Sequence, residues 1–435
     1  MFRIVALPLL LLSFALPSTA QAAVTAAELD QLSAAIQPQV VEWRRWFHQN
    51  PELGNREFNT SKKVAEILSG MGLEPITGIA HTGVVAIIKG GKPGPLVAIR
   101  TDMDGLPVTE DTGLPFASTA KGEYMGQDVG VMHACGHDTH MAMVLGAATV
   151  LNAVKDELPG SVMLIFQPAE EGAPPGEEGG AELMLKEGIW ETDKPEAVFG
   201  LHVGINQPSV LAVRPGPIMA AVDSFTLTVK GRQTHGARPW NGVDPIVVSA
   251  QIILGLQTIA SRQVDVTLAP SIVTVGRIKG GVRNNVIPDS VEMEGTIRTF
   301  DPAMREQIHM RVERTARGIA ESAGADIELV LDYGYPATVN DPGLTERMLP
   351  TLQRVAGENG LITVPPQTVS EDFSYFANAT PGMFVFLGSG APGVDPESLP
   401  SNHSPQFDMY EPSMELGVRT FSNLVVDYLQ SSPGQ

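Results

Sequence analysis

The hydrophobic pattern divides the chain into stretches of different texture. Residues 29–73 place apolar side chains at helical spacing, with Trp43, Trp46 and Phe47 on one side and a break at Gly70-Met71-Gly72. Short apolar runs at residues 84–88, 96–99, 162–166 and 197–201, bounded by turn residues, predict buried strands. Between the second and third of these, residues 139–154 have the length and composition of a helix. Strands alternating with helices predict an α/β domain around a mostly parallel sheet, in which ligands bind at the loops beyond the strand ends.

Near Arg214 the texture changes. Residues 224–229 alternate polar and apolar, which marks a strand with one solvated face. A helix over 245–260, strands over 272–278 and 291–299, a helix over 302–322 and a strand over 327–331 complete the order β-α-β-β-α-β. That order predicts a ferredoxin-like domain at residues 214–331, inserted into a catalytic α/β domain made of residues 23–213 and 332–435. Residues 384–387 read as one more buried strand that completes the interrupted domain. A chain of 435 residues exceeds what a single hydrophobic core ordinarily supports, which agrees with two domains.

At the N-terminus, Arg3 precedes an apolar run at residues 4–16 that is too short to span a bilayer. The pattern Ala20-Gln21-Ala22 follows, so residues 1–22 read as a signal peptide cleaved after Ala22. The expectation is an exported protein, periplasmic or secreted, with no membrane association once the signal is removed. A net charge of -20 argues against nucleic acid, because a phosphate backbone calls for a concentrated basic surface. One cysteine, Cys135, permits no intrachain disulfide. A lone thiol in an oxidising compartment is accounted for if it is held as a metal-bound thiolate.

The densest chemistry is His133-Ala134-Cys135-Gly136-His137-Asp138-Thr139-His140. A single loop histidine is usually unremarkable, but three within eight positions around the only cysteine favour a metal site. Glu170 and Glu171 follow a predicted strand. By itself such a pair is better explained as a solvated acidic turn, yet one carboxylate binding metal while the other acts as a base would suit a hydrolytic centre. His202 and His403 are weak signals alone. Cys135 acting directly as a nucleophile stays open at this stage.

Several runs together resemble one family: Asp102-Met103-Asp104-Gly105-Leu106-Pro107, the cluster at 133–140, Gln167-Pro168-Ala169-Glu170-Glu171-Gly172, Gly200-Leu201-His202-Val203, Asn285-Val286-Ile287-Pro288-Asp289, Ser370-Glu371-Asp372-Phe373 and Asn402-His403. They resemble the dinuclear metal hydrolases of the aminoacylase and carboxypeptidase superfamily, in the branch of hippurate hydrolases and auxin-conjugate (IAA-amino acid) hydrolases. The resemblance covers nearly the whole mature chain. It implies two divalent ions per subunit, manganese or zinc with cobalt or nickel as alternatives. It implies Cys135, His137, Glu171, His202 and His403 as ligands, Cys135 bridging, Glu170 as catalytic base, and Asp104 orienting a ligand from behind. The superfamily's usual His-x-Asp has Asp102 in the histidine position, and this branch shares that change.

The same resemblance makes the inserted domain a lid and dimerisation unit. It implies that His235 stabilises the oxyanion, often from the partner subunit of a homodimer. Asn285, as an amide donor, would suit contact with a substrate carboxylate. The lesser alternative for His235 is an ordinary turn histidine, while Arg298 reads equally as a carboxylate contact or an ordinary strand residue. The chain departs from the branch pattern at Trp240 and at Arg283-Asn284. The implied reaction is hydrolysis of the amide bond of N-acyl amino acids, with dipeptide exopeptidase or a non-catalytic binding protein as rivals.

Overall fold

The computed structural model describes residues 23–205 and 207–431; the signal peptide expected at 1–22 lies outside the described residues. An eight-stranded sheet organises the larger part of the chain. Its centre is four parallel strands in the order Pro159–Gln167, Lys92–Asp102, Ala197–Ile205 and Gly382–Ser389. On one side the antiparallel strands Gly83–Lys89 and Ile76–Ile79 extend it, and on the other Pro208–Val213 and Leu361–Thr363. The central strands are buried on both faces, which is why they read as continuous apolar runs rather than alternating ones.

The helix His137–Ala153 packs on this sheet beneath Ala26–Gln49 and Met414–Gln430. Almost all of its residues are buried. A helix that is apolar all round belongs inside a core, and this one shares a single cluster with Val97, Ile99, Phe199 and Val418.

The predicted helical stretch at 29–73 is two helices, Ala26–Gln49 and Phe58–Gly70. Pro51 removes a backbone donor and Asn55 takes φ 60, so the chain turns between them. Strand 197–201 runs on to Ile205, which places His202 inside it rather than at its end. The helices Pro342–Ala356 and Met414–Gln430 carry no expectation above, although both pack against the large sheet or its helices.

The inserted unit is an antiparallel sheet in the order Ser271–Gly280, Ser290–Thr299, Ala221–Lys230, Asp326–Tyr333. The helices Pro245–Thr258 and Pro302–Ser322 cover one face with their own apolar cluster, which gives the ferredoxin-like arrangement. Each helix begins with an aspartate cap followed by proline. Asp244 accepts from Ile246 and Asp301 from Met304, while Pro245 and Pro302 occupy positions whose N–H would lack a partner anyway. A short ribbon, Gly216–Met219 against Thr338–Asn340, joins the insertion to the large sheet.

Candidate metal centre

Parallel strands end on the same edge of a sheet, and three of them deliver the polar residues there. Lys92–Asp102 ends in Asp102 with Asp104 just beyond, Pro159–Gln167 leads into Glu170 and Glu171, and Ala197–Ile205 carries His202. His137 opens the buried helix below them. Between Cys135 and His137, Gly136 has φ 95, and a Cβ there would lie 2.4 Å from Val203 Cγ2, so glycine alone turns the chain sharply enough to aim both neighbours into the site. The loop bearing His403 is tied down by its own backbone. His403 N–H donates to the Ala134 carbonyl at 2.8 Å, and the Asn402 side-chain amide donates to the Cys135 and Val203 carbonyls at 2.9 and 3.1 Å.

The five sequence-derived candidate ligands converge. Cys135 Sγ lies 3.3 Å from His202 Nε2, Glu171 Oε1 lies 3.1 Å from His403 Nε2, and His137 Nε2 lies 4.0 Å from the same Glu171 oxygen. Donor atoms of Cys135, Glu171 and His403 lie within 4.8 Å of one another, as do those of His137, Glu170 and Glu171. Glu171 belongs to both groups.

Hydrogen bonds set which imidazole nitrogens are free. His202 Nδ1 faces the Val203 carbonyl at 2.6 Å and must donate to it, which leaves the Nε2 lone pair toward Cys135. His137 Nδ1 faces Asp104 Oδ1 at 3.2 Å, and its buried Nε2 has no hydrogen-bond partner. A histidine held by a carboxylate through one nitrogen, with the other unpartnered among carboxylates, has the arrangement of a metal ligand. Asp104 does double duty, because its other oxygen accepts the Glu171 N–H at 2.9 Å. His140 is different: Nε2 accepts the Val203 N–H and Nδ1 donates to Asp102 at 2.7 Å, so neither nitrogen is free for a metal.

The electrostatics call for positive charge. Asp102, Glu170, Glu371 and Asp372 are buried around the guanidinium of Arg100, which pairs with Asp102, Glu371 and Asp372 at 2.9 Å each, and Asp104 is buried beside His137. Burial, then Glu171 and Glu170, push the Cys135 thiol well up. Burial pushes Glu170 up as well, with Glu371 and Glu171 adding to it. His137 is held up at about 10; burial opposes its charge, but Asp102 and Asp104 outweigh it. These carboxylates therefore demand a cation at His137 Nε2, either a proton or a metal ion. The orphaned Nε2 and the mixed thiol, imidazole and carboxylate donors fit a divalent metal.

The centre opens into a cleft of about 700 Å³. Glu170 and Glu371 reach it at the metal end, Met219, Ile362, Val364 and Phe386 form an apolar wall, and Arg298 comes from the inserted unit. Arg298 donates to the Ser370 hydroxyl at 3.2 Å and makes no ion pair among the described residues. His235 and Asn285 do not line this cleft. Both are exposed and sit side by side on the insertion, where Gly236 N–H donates to the Asn285 carbonyl. Sequence reasoning assigned no role to Glu371, Asp372, Arg100 or Tyr335. The Ser370-Glu371-Asp372-Phe373 run was the available signal for the first two; nothing local marks an arginine inside an apolar strand as functional.

Residues 98–427 match the model of "Peptidase family M20/M25/M40", a span that includes Cys135, His137, Glu170, Glu171, His202 and His403. The chain belongs to this family. The M20 chain is 39% identical over 396 residues to thermostable carboxypeptidase 1 of Saccharolobus solfataricus, covering 90% of this chain and 96% of that one. It is 35% identical over 406 residues to the IAA-amino acid hydrolase ILR1-like 2 of Arabidopsis thaliana, covering 92% and 88%. Among solved structures it resembles the Bacillus subtilis YxeP protein, described as a dinuclear metal binding peptidase of the M20 family, with a TM-score of 0.77 and 34% identity over 92% of this chain and all of that one. The M20 chain is accordingly a metal-dependent hydrolase with an α/β catalytic body and an inserted lid.

Proposed function

We propose that this M20 hydrolase cleaves the amide bond of N-acyl amino acids. Cys135, His137, Glu171, His202 and His403 would hold two divalent ions. When bound, such ions lower the pKa of a water and polarise the amide carbonyl. Glu170 removes a proton from the attacking water, holds it, and passes it to the leaving nitrogen as the C–N bond breaks, giving a carboxylate and a free amine.

The observation that carries the acyl-amino-acid reading is an apolar wall facing, across one cleft, a guanidinium that makes no ion pair among the described residues. Met219, Ile362, Val364 and Phe386 suit an apolar acyl group, and Arg298 suits the carboxylate of the amino acid. A dipeptidase would need a carboxylate free to bind an α-amine. The acidic residues lining the cleft are Glu170, Glu171 and Glu371, and Glu371 is engaged by Arg100 and the Phe373 N–H. This favours deacylation over dipeptidase action.

His235 and Asn285 are assigned here to the cleft of a second copy of the chain. Exposed Ile246, Val247, Leu254 and Ile272 on the insertion are the apolar side chains that such a homodimer would cover. Export rests on residues 1–22; a mature N-terminus at Ala23 supports it and an intact Met1 overturns it. The test of the reaction is amine release from a panel of N-acyl amino acids and dipeptides, with chelation and with manganese or zinc restored. Metal-dependent release from acylated substrates is expected, and release from dipeptides alone would favour the exopeptidase.

A further inference from the structure

The peptide groups around Glu170 are held by side chains from three separate elements. The Ala169 N–H donates to Glu57 Oε1 at 2.8 Å, the Tyr335 hydroxyl donates to the Glu170 carbonyl at 2.9 Å, and the Glu171 N–H donates to Asp104 Oδ2 at 2.9 Å. Ala169 needs such restraint. Its φ is 50, in the left-handed region that an alanine seldom occupies.

Glu57 is fully buried, makes no ion pair among the described residues, and does not line the cleft. Its second oxygen accepts the Thr82 hydroxyl at 2.6 Å. Burial, with Asp104 adding to it, pushes this carboxyl up to about 8, so hydrogen bonds to the Ala169 N–H and the Thr82 hydroxyl hold it rather than a countercharge. The segment that carries it also presses on the same turn through Gly54, where a Cβ would lie 2.9 Å from the Gly172 carbonyl oxygen and 3.2 Å from Ala169 Cα.

We propose that Glu57 is a positioning residue for Glu170: it pins the strained Ala169 peptide and thereby fixes the direction in which the Glu170 side chain enters the cleft. The proposal rests on the reading of Glu170 as proton carrier. Glu57 touches neither substrate nor metal ligand side chains; it acts through the backbone of the turn. Displacing a catalytic group by an ångström costs on the order of 100-fold in rate.

The experiment compares Glu57→Ala and Glu57→Gln with the wild-type metal-loaded enzyme, reading kcat, KM, bound metal and amide exchange at Ala169. Glu57→Ala is expected to lower kcat about 100-fold with KM and bound metal little changed. The Ala169 amide should exchange faster in that variant. Glu57→Gln keeps an oxygen acceptor in place and should restore both kcat and slow exchange. A wild-type kcat in Glu57→Ala, or a Glu57→Gln as impaired as Glu57→Ala, overturns the proposal. Should Glu57→Ala fail to fold, the near-isosteric Thr82→Val, which releases the other carboxylate oxygen, should lower kcat with metals retained; an unchanged kcat there overturns it too. Glu170→Gln measured alongside separates the two readings. If it keeps full turnover, the base assignment falls. If it is inactive while Glu57→Ala is normal, only the positioning role falls.

Discussion

His140 Nε2 accepts the backbone N–H of Val203 at 2.9 Å, while its Nδ1 donates to Asp102. Within a cluster of three histidines, this pair separates a scaffold imidazole from a ligand imidazole. His140 locks the strand that carries His202 against the strand that carries Asp102. Replacing it by alanine leaves the buried Val203 N–H without its acceptor and Asp102 Oδ1 without its donor, although Arg100 still holds the other Asp102 oxygen, at a cost of about 1–3 kcal/mol for each lost bond. The expected outcome for His140→Ala is a lower melting temperature with wild-type metal content. A folded variant that has lost an ion would make His140 a ligand instead.

Cys135 gives the opposite expectation. Burial and two carboxylates push its thiol up, so a thiolate persists there only beside a cation. Cys135→Ala should therefore bind metal poorly and lose turnover, while its fold survives. Elemental analysis decides this; full occupancy by both ions in Cys135→Ala would refute its place among the ligands.

How much of this was legible in the chain depended on the kind of signal. Buried parallel strands announced themselves as apolar runs, and the antiparallel insertion as alternation, so residues 162–166 and 224–229 lie within Pro159–Gln167 and Ala221–Lys230. Leu361–Thr363 and Gly216–Met219 are too short to show a period. The candidate ligands could be nominated because Cys135, His137 and the Glu170-Glu171 pair sit in compact motifs. The supports behind them were not. Glu57 and Ala169 are 112 positions apart, and no local pattern says that a distant carboxylate caps a given peptide. The same holds for Tyr335, whose hydroxyl finds the Glu170 carbonyl only once the chain has returned from the insertion.

Glu170→Ala should remove the proton carrier and leave the ligands in place. General acid–base assistance contributes roughly 100- to 10,000-fold, so kcat is expected to fall by at least that range while bound metal stays constant. Turnover kinetics with parallel metal analysis test it, and an active Glu170→Ala removes the assignment.

A pH effect on stability follows from the far side of the buried helix. His48 is sandwiched between Asp138 at 2.8 Å and Glu110 at 3.0 Å, with Arg44 also facing Asp138. Burial opposes its protonation, but Asp138 and then Glu110 raise it from 6.5 to about 9. The folded state thus holds the proton more tightly than the unfolded chain. The resulting stabilisation is fully present below pH 6.5 and is lost as pH rises through about 9. Its size is on the order of 3 kcal/mol. Melting temperatures should fall between these pH values in the wild type and fall less in His48→Gln; parallel curves would count against it.

Arg298 should govern affinity for the substrate carboxylate. A charge-assisted hydrogen bond is worth about 1.5–3 kcal/mol, so Arg298→Met should raise KM by about tenfold or more for N-acyl amino acids. The same variant should lose little on substrates whose carboxylate is amidated. Equal losses on both would place Arg298 in the fold rather than in recognition.

The placement of His235 permits a test that no single variant provides. On its own subunit His235 is exposed on the insertion and outside the cleft, while Glu170 lies inside it. If His235 serves the neighbouring subunit's cleft, a His235→Ala protomer and a Glu170→Ala protomer fail in complementary ways. Each should be inactive as a homodimer. In a mixed dimer one cleft combines the intact Glu170 of one subunit with the intact His235 of the other, and activity should reappear on mixing and exchange. The other cleft lacks both groups, so recovery remains partial. Mixing that restores nothing, with exchange shown by differential tagging, would return His235 to its own subunit or to the role of an ordinary turn residue.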